Sequence, residues 1–148
     1  MGLRAHLFLM KPQDICIADS LQLLETDPHA PACIEAGRVH SRLQLRQSIE
    51  RFSSALRFHD VRAGQCVAVC TGSHFRSLSL LLALDMLGAE VLVLPLQRSA
   101  EFRQALLRQK PVALAVVERP EDAQTLRSAG LRAWTLQELL NSCALESP

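Results

Sequence analysis

The stretch of this sequence most like a ligand cradle is Thr71-Gly72-Ser73-His74. It follows an apolar run and precedes a leucine-rich helix. At such a place, free N–H groups at a helix start can meet a phosphate. The turn is therefore a candidate nucleotide or phosphate site. The same four residues also read as an ordinary capped strand-to-helix turn, because one glycine with no lysine after it is not a Walker loop. His29, His40, His59 and His74 show neither H-x-x-H nor H-E-x-x-H spacing, so no metal site is expected. The cysteines are Cys16, Cys33, Cys66, Cys70 and Cys143, with no C-x-x-C pair. Cys66 and Cys70 share one face of an apolar strand about 13 Å apart, which is too far to bridge. They read as buried, reduced thiols of a cytoplasmic protein. No motif joins any cysteine to a histidine as a nucleophilic pair. Arg38, Arg42, Arg46, Arg51, Arg57 and Arg62 form a basic region, opposed by Glu50 and Asp60, which reads as a solvated helix face.

The elements that hold these residues follow from composition and periodicity. The 148 residues suit one domain, and with 49% apolar and 21% charged residues they can build a core. A net charge of +1 and 4% aromatics argue against nucleic acid, which needs a basic field and stacking surfaces. The greasiest stretch, Ser77 to Leu96, contains Asp85, Gly88, Glu90 and Pro95, so it reads as a helix and then a strand, not a membrane span. Ile15, Ala18, Leu21 and Leu24 recur at helical spacing over Pro12–Glu25, and Asp27-Pro28 then breaks the chain. Residues 1–29 are accordingly expected to be a helical extension, and 30–148 a single compact unit.

Within that unit, Ala32–Glu35 and Val39–His40 read as a strand pair around Gly37. Ser41 with Gln44 is a capping box opening a helix whose apolar stripe is Leu45, Ile49, Phe52 and Leu56. A turn at Ala63-Gly64 follows. Apolar runs at Cys66–Cys70, Val91–Leu94, Val112–Val117 and Leu131–Trp134 alternate with helices. The first of these helices is capped by Ser73 and runs to about Leu87, with Gly88 as its stop. The others are Glu101–Gln109, one entered at Pro120, and one opened by Thr135 and Glu138 and running to about Cys143. Fully apolar strands alternating with helices predict a mainly parallel sheet of about four strands with crossover helices on both faces, an α/β fold. The helix from His74 to Leu87 is apolar all round, which calls for cover on every side.

The order of these features resembles the N-terminal portion of the adenylate-forming superfamily: acyl-CoA synthetases, aryl-acid ligases, luciferases and adenylation domains. Gly37–Leu45 (GRVHSRLQL) is similar to that family's strand pair and Ser/Thr-Tyr-x-Glu-Leu helix start. Ala55–Val69 (ALRFHDVRAGQCVAV) is similar to A-L-x-x-x-G-V-x-x-G-D-x-V-A-V. Leu84–Leu96 (LDMLGAEVLVLPL) is similar to the L-K-A-G-A-x-x-V-P-L run, ending at Pro95-Leu96. Arg42 stands in place of the usual aromatic, Gln44 in place of an acid, and Gln97-Arg98 in place of Asp-Pro or Asn-Pro. The resemblance implies structural roles for Gly37, Ser41, Gln44, Gly64, Gly88 and Pro95. It also implies a parent activity: a carboxylate attacks the ATP α-phosphate to give an acyl-adenylate, and a thiol or amine then displaces AMP.

That chemistry needs a Gly/Ser/Thr-rich phosphate loop, an acid for ribose and metal, and a lysine for the developing charge. The six glycines here are isolated, and the only lysines are Lys11 and Lys110, neither in a matching context. No catalytic residue carries over. The expectation is a ligase segment that is not an enzyme on its own and takes ATP and magnesium only when completed by the rest of the fold. Its expected partners are that remaining portion, self-association through apolar surface, or an acyl carrier protein on the arginine face. The alternatives are a non-catalytic interaction or acyl-binding module and a small nucleotide-binding protein.

Overall fold

The computed structural model of the chain describes residues 25–72 and 74–144, and of Cys143 and Ala144 the backbone only. The helix expected over Pro12–Glu25 lies outside the described residues apart from Glu25, as do Lys11, Cys16 and Ser73.

The chain first forms an antiparallel pair, β1 (Pro31–Glu35) and β2 (Arg38–Ser41), in which Ile34 faces Val39 and Glu35 faces Arg38. The two-residue link, Ala36-Gly37, has φ of 49° and 77°. Both are positive, the backbone of the tight turns that match the twist of a hairpin. Ser41 closes β2 and caps helix α1 (Arg42–Phe58). Its hydroxyl accepts the Gln44 N–H at 3.1 Å, and the Gln44 side chain accepts the Ser41 N–H at 2.8 Å. This is the capping box expected from the sequence. Leu45, Ile49, Phe52 and Leu56 are all buried along one side of α1.

The rest is β3 (Cys66–Cys70), α2 (Phe75–Met86), β4 (Glu90–Val93), α3 (Ala100–Leu107), β5 (Leu114–Val117), α4 (Pro120–Ser128), β6 (Ala133–Thr135) and α5 (Leu136–Ala144). The four later strands make a parallel sheet in the order β4-β3-β5-β6. Central β3 and β5 are buried at every residue, as strands covered on both faces must be. On one face α1, α2 and α5 pack on Val67, Val69, Val91, Leu114 and Val116. On the other, α3 and α4 pack around Ala68, Cys70, Leu94, Ala115 and Val117.

Several boundaries differ from expectation. The cap of α2 is His74 and not Ser73, because the imidazole Nδ1 reaches the Ser77 N–H. β5 starts at Leu114 rather than Val112. β6 starts at Ala133 rather than Leu131, whose side chain packs on the α3–α4 side. The α3 cap is Ser99, whose hydroxyl accepts the Phe102 N–H.

Among the described residues, helix α2 is not covered on every side. Leu80, Ala83 and Leu84 are buried against the sheet and α1, whereas Leu78 and Met86 remain 37% and 41% exposed. On the hairpin, the facing pair Ile34 and Val39 is 69% and 53% exposed, and Ile34 shares a groove with Leu78. Gly88 ends α2 with φ of 75°, and a side chain there would press on Ala63 Cβ at 3.3 Å. The Gly88 carbonyl accepts the Gly64 N–H at 2.9 Å, so two glycines from separate sequence motifs brace each other at the amino end of the sheet.

Candidate functional site at the carboxyl ends of β3 and β5

β3 and β5 are hydrogen-bonded neighbours, yet their outgoing connections part: β3 leads to α2 on one face, β5 to α4 on the other. Such a divergence opens a crevice at the carboxyl ends of parallel strands, where ligands of open α/β sheets settle. Thr71, Gly72 and His74 leave β3 into this crevice, and Glu118 follows directly on β5.

Glu118 ties the two sides together. Its Oε2 accepts the Gly72 N–H at 2.8 Å. His74 Nε2 lies 2.9 and 2.8 Å from the two carboxylate oxygens. His74 Nδ1 accepts the Ser77 N–H at 3.2 Å, so the ring proton sits on Nε2 and is donated to Glu118. Burial pushes the Glu118 carboxyl up, but the bonds from Gly72 and His74 outweigh it and hold the group below the usual glutamate range. Both imidazole nitrogens are thus committed, which leaves His74 a structural cap. Behind it, the Thr71 and Ser77 hydroxyls are hydrogen-bonded.

A second carboxylate serves the helix start itself. The first turn of α2 contains no acid. Glu35, at the end of β1, reaches across so that its Oε2 accepts the Phe75 N–H at 3.1 Å, supplying the negative charge that a helix N-terminus favours. His40 Nε2 lies 3.6 Å from the same oxygen, and the His40 ring stacks on Phe75 at 3.9 Å. Of the candidate phosphate residues, the structure therefore gathers Thr71, Gly72 and His74 in one turn. The N–H groups of Gly72 and Phe75 are held by Glu118 and Glu35.

In front of these carboxylates lies a cleft of about 750 Å³. Its walls are the hairpin, the start of α2 and one side of α1. Gln44, Gln47, Ser48 and Arg51 line it, at i, i+3, i+4 and i+7 on α1, a polar stripe flanking the buried one. Arg38 enters from the hairpin and Arg76 from α2. A groove of about 510 Å³ shares Glu35, Ala36 and His74 with the cleft, and Cys33, Ile34, Leu78 and Leu81 make its apolar wall.

The remaining candidates lie apart from the crevice. Lys110 pairs with Glu90 at the amino end of edge strand β4, the opposite end of the sheet from the crevice. Cys33, Cys66 and Cys70 are free, and burial raises the Cys66 and Cys70 thiols above their usual range. His59 is buried under α5 beside Trp134. Among the described residues, no three His, Cys, Asp or Glu side chains converge as a metal requires. No helix among them is long and apolar enough to cross a membrane. The Glu118 and Glu35 bonds join residues 46 and 40 positions apart, and sequence reading missed both. The polar stripe on α1 carried a signal: it has the same spacing as the apolar one.

The sequence matches no protein-family profile and no curated protein. The fold does have solved counterparts. Unliganded O-succinylbenzoate coenzyme A synthetase (MenE) from Bacillus subtilis matches with a TM-score of 0.73 and 17% identity, over 82% of this chain and 26% of that one. NpsA from Klebsiella oxytoca, in complex with 3-hydroxyanthranilyl-AMSN, matches at 0.75 and 14%, over 88% and 26%. Its N-terminal subdomain with 3-hydroxybenzoyl-AMSN matches at 0.73 and 16%, over 86% and 31%. The chain is similar in fold to part of these proteins, and it spans about a quarter to a third of their length.

Proposed function

We propose that this chain serves as the N-terminal portion of an AMP-forming, ATP-dependent acyl- or aryl-acid ligase-like protein, and that it does not activate a carboxylate by itself. The observation that carries this reading is the fold likeness, which takes in 81–89% of this chain but 25–33% of its structural counterparts. The motif series at Gly37–Leu45, Ala55–Val69 and Leu84–Leu96 supports it independently of the coordinates.

The residues present do not fit an ATP–magnesium group. The helix-start amides at the crevice are engaged by carboxylates, and Lys110 lies at the opposite end of the sheet. The two carboxylates lining the cleft, Glu35 and Glu118, are already committed to those amides, with no group of three metal-binding side chains among the described residues. On this reading, the chain contributes a rigid sheet, and the adenylating groups come from the rest of the ligase fold. The open apolar surface of α2 and the hairpin is where that partner is proposed to dock, with self-association as the outcome when it is missing. An acyl carrier protein is the further partner proposed for the arginine face. The buried free thiols favour a cytoplasmic setting.

The test is ATP–pyrophosphate exchange by the purified chain with a panel of aryl and acyl acids. None is expected. Exchange that is abolished by a single substitution within these 148 residues overturns the reading.

A second reading, a stand-alone interaction module, is favoured by the same exposed Leu78, Met86, Ile34 and Val39. Size-exclusion chromatography with an apolar dye separates the two. A ligase segment alone is expected to self-associate and bind dye, and Leu78→Glu with Met86→Glu to reverse both. A module that presents the same surface is monodisperse from the start.

A further inference from the structure

We infer that the cleft between the hairpin, α1 and the start of α2 is a metal-free binding site for a small polar molecule carrying a phosphomonoester, recognised by Arg38 and Arg51. The inference stands on the cleft's own residues and does not rest on the ligase reading.

The location comes first. The cleft opens at the point where the connections of β3 and β5 diverge, the usual ligand position of an open α/β sheet, and about 750 Å³ suits a small organic molecule. The charge balance comes next. Two carboxylates line it, but both are already engaged: Glu35 with the Phe75 N–H and His40, Glu118 with the Gly72 N–H and His74. The cations are less engaged. Arg76 donates to Gln137, whereas Arg38 and Arg51 have no ion-pair or hydrogen-bond partner for their guanidiniums among the described residues. Some arginines elsewhere are paired, Arg46 with Glu25 and Glu50, Arg103 with Asp122, Arg127 with Glu138. Among the described residues, Arg57, Arg62 and Arg108 are open like Arg38 and Arg51 but do not line this cleft. Guanidiniums left open beside a cleft match the oxygens of a phosphate, which they bind in a forked geometry.

The body of the ligand is set by α1. Gln44, Gln47 and Ser48 present amides and a hydroxyl to the same space, donors and acceptors suited to a polar scaffold and not to an acyl chain. The Gln44 side-chain oxygen is held by the Ser41 N–H, so its NH₂ is what remains for a ligand. The Gly72 and Phe75 amides are spoken for, so the phosphate is held by the guanidiniums and not by the helix start.

The test is an amide-resolved NMR titration of the full chain with three probes: inorganic phosphate, AMP and adenosine. Phosphate and AMP are expected to shift the backbone signals of Gln47, Ser48 and Arg51, with binding that weakens as salt rises. Adenosine, which lacks the anion, is expected to shift none of them. The Arg38→Ala, Arg51→Ala double variant is expected to weaken binding at least tenfold. Arg57→Ala, on the same helix outside the cleft, should stay within twofold of the parent. Both cleft arginines are solvent-exposed, so an unchanged melting curve without ligand verifies that the double variant is folded. AMP binding tighter than phosphate assigns the source as a nucleotide-like molecule, and equal binding assigns the free anion. Either ranking supports the site. No shifts with either anion, equal shifts with adenosine, or binding that survives the double substitution overturns the proposal.

Discussion

Replacing Glu118 by Gln tests the bond network that joins β3 to β5. The carboxylate accepts the Gly72 N–H at 2.8 Å and the His74 Nε2–H at the same distance. A hydrogen bond to a charged group contributes roughly 1.5–3 kcal/mol when buried. The Glu118 side chain is 34% exposed, so solvent screening brings each bond down to about 1 kcal/mol. Glutamine keeps an acceptor oxygen but loses the charge and brings an NH₂ toward a donor. The expected loss at neutral pH is about 1 kcal/mol, or roughly 3 °C in melting temperature for a chain of this size. Alanine leaves both donors unpaired and should cost about 2 kcal/mol. The pH dependence follows from the direction of the carboxyl's shift. Burial raises its pKa, but the bonds from Gly72 and His74 bring it below the ordinary glutamate range. Stability from such a group is fully present above the unfolded pKa and is lost as pH falls through the folded value. The gap between parent and Gln variant should therefore be widest near pH 7 and close in acid, below the ordinary glutamate titration. Melting curves at a series of pH values read this directly. A Gln variant that melts with the parent at neutral pH, or a gap that persists unchanged at low pH, refutes the reasoning.

His59 gives a second pH signature of different origin. The Ser142 hydroxyl donates to the Leu139 carbonyl at 2.7 Å, so its oxygen is free to accept from His59 Nε2 at 2.8 Å. Burial first, then Arg132, holds this imidazole below its usual range, with Asp60 opposing. A histidine with a depressed folded pKa stabilises above its unfolded pKa, about 6.5, and loses that contribution as pH falls below it through the lower folded value. His59→Gln is expected to flatten the fall in melting temperature between neutral pH and pH 5, and an undiminished fall refutes the assignment. Ser41→Ala removes one half of the capping box and should cost about 1 kcal/mol by denaturant titration, with the slope unchanged.

Legibility divided along the range of the interactions. The Ser41–Gln44 box, the Thr135–Glu138 pair and Pro120 at the start of α4 act within three residues, so residue type and spacing were sufficient. The four strands were legible because a strand buried on both faces has to be apolar throughout, as Cys66–Cys70 is. The cap of α2 was misplaced because serine outranks histidine as a cap by propensity. Glu118, which sits 44 residues away, fixes the His74 ring by binding its other nitrogen, and local propensity cannot register that. Helix α2 shows the same division. Its composition foretold a need for cover, but only the packed structure shows that Leu80, Ala83 and Leu84 receive it while Leu78 and Met86 are left partly exposed among the described residues.

The two carboxylates also decide what the switch point can accept. A bare helix N-terminus carries about half a positive charge and would attract a triphosphate. Here Glu35 and Glu118 already hold the amides of Phe75 and Gly72. Two unit charges about 4 Å apart repel by about 4 kcal/mol at an effective dielectric of 20. A polyanion approaching the turn would meet that repulsion, or would have to displace a carboxylate and leave it without its N–H and histidine partners. Arg38 and Arg51 line the cleft on the hairpin and on the polar side of α1, and no carboxylate among the described residues occupies them. The turn is thus closed to anions by its own side chains. The cation-lined walls remain open, which places phosphate recognition by this chain on guanidiniums and not on backbone amides.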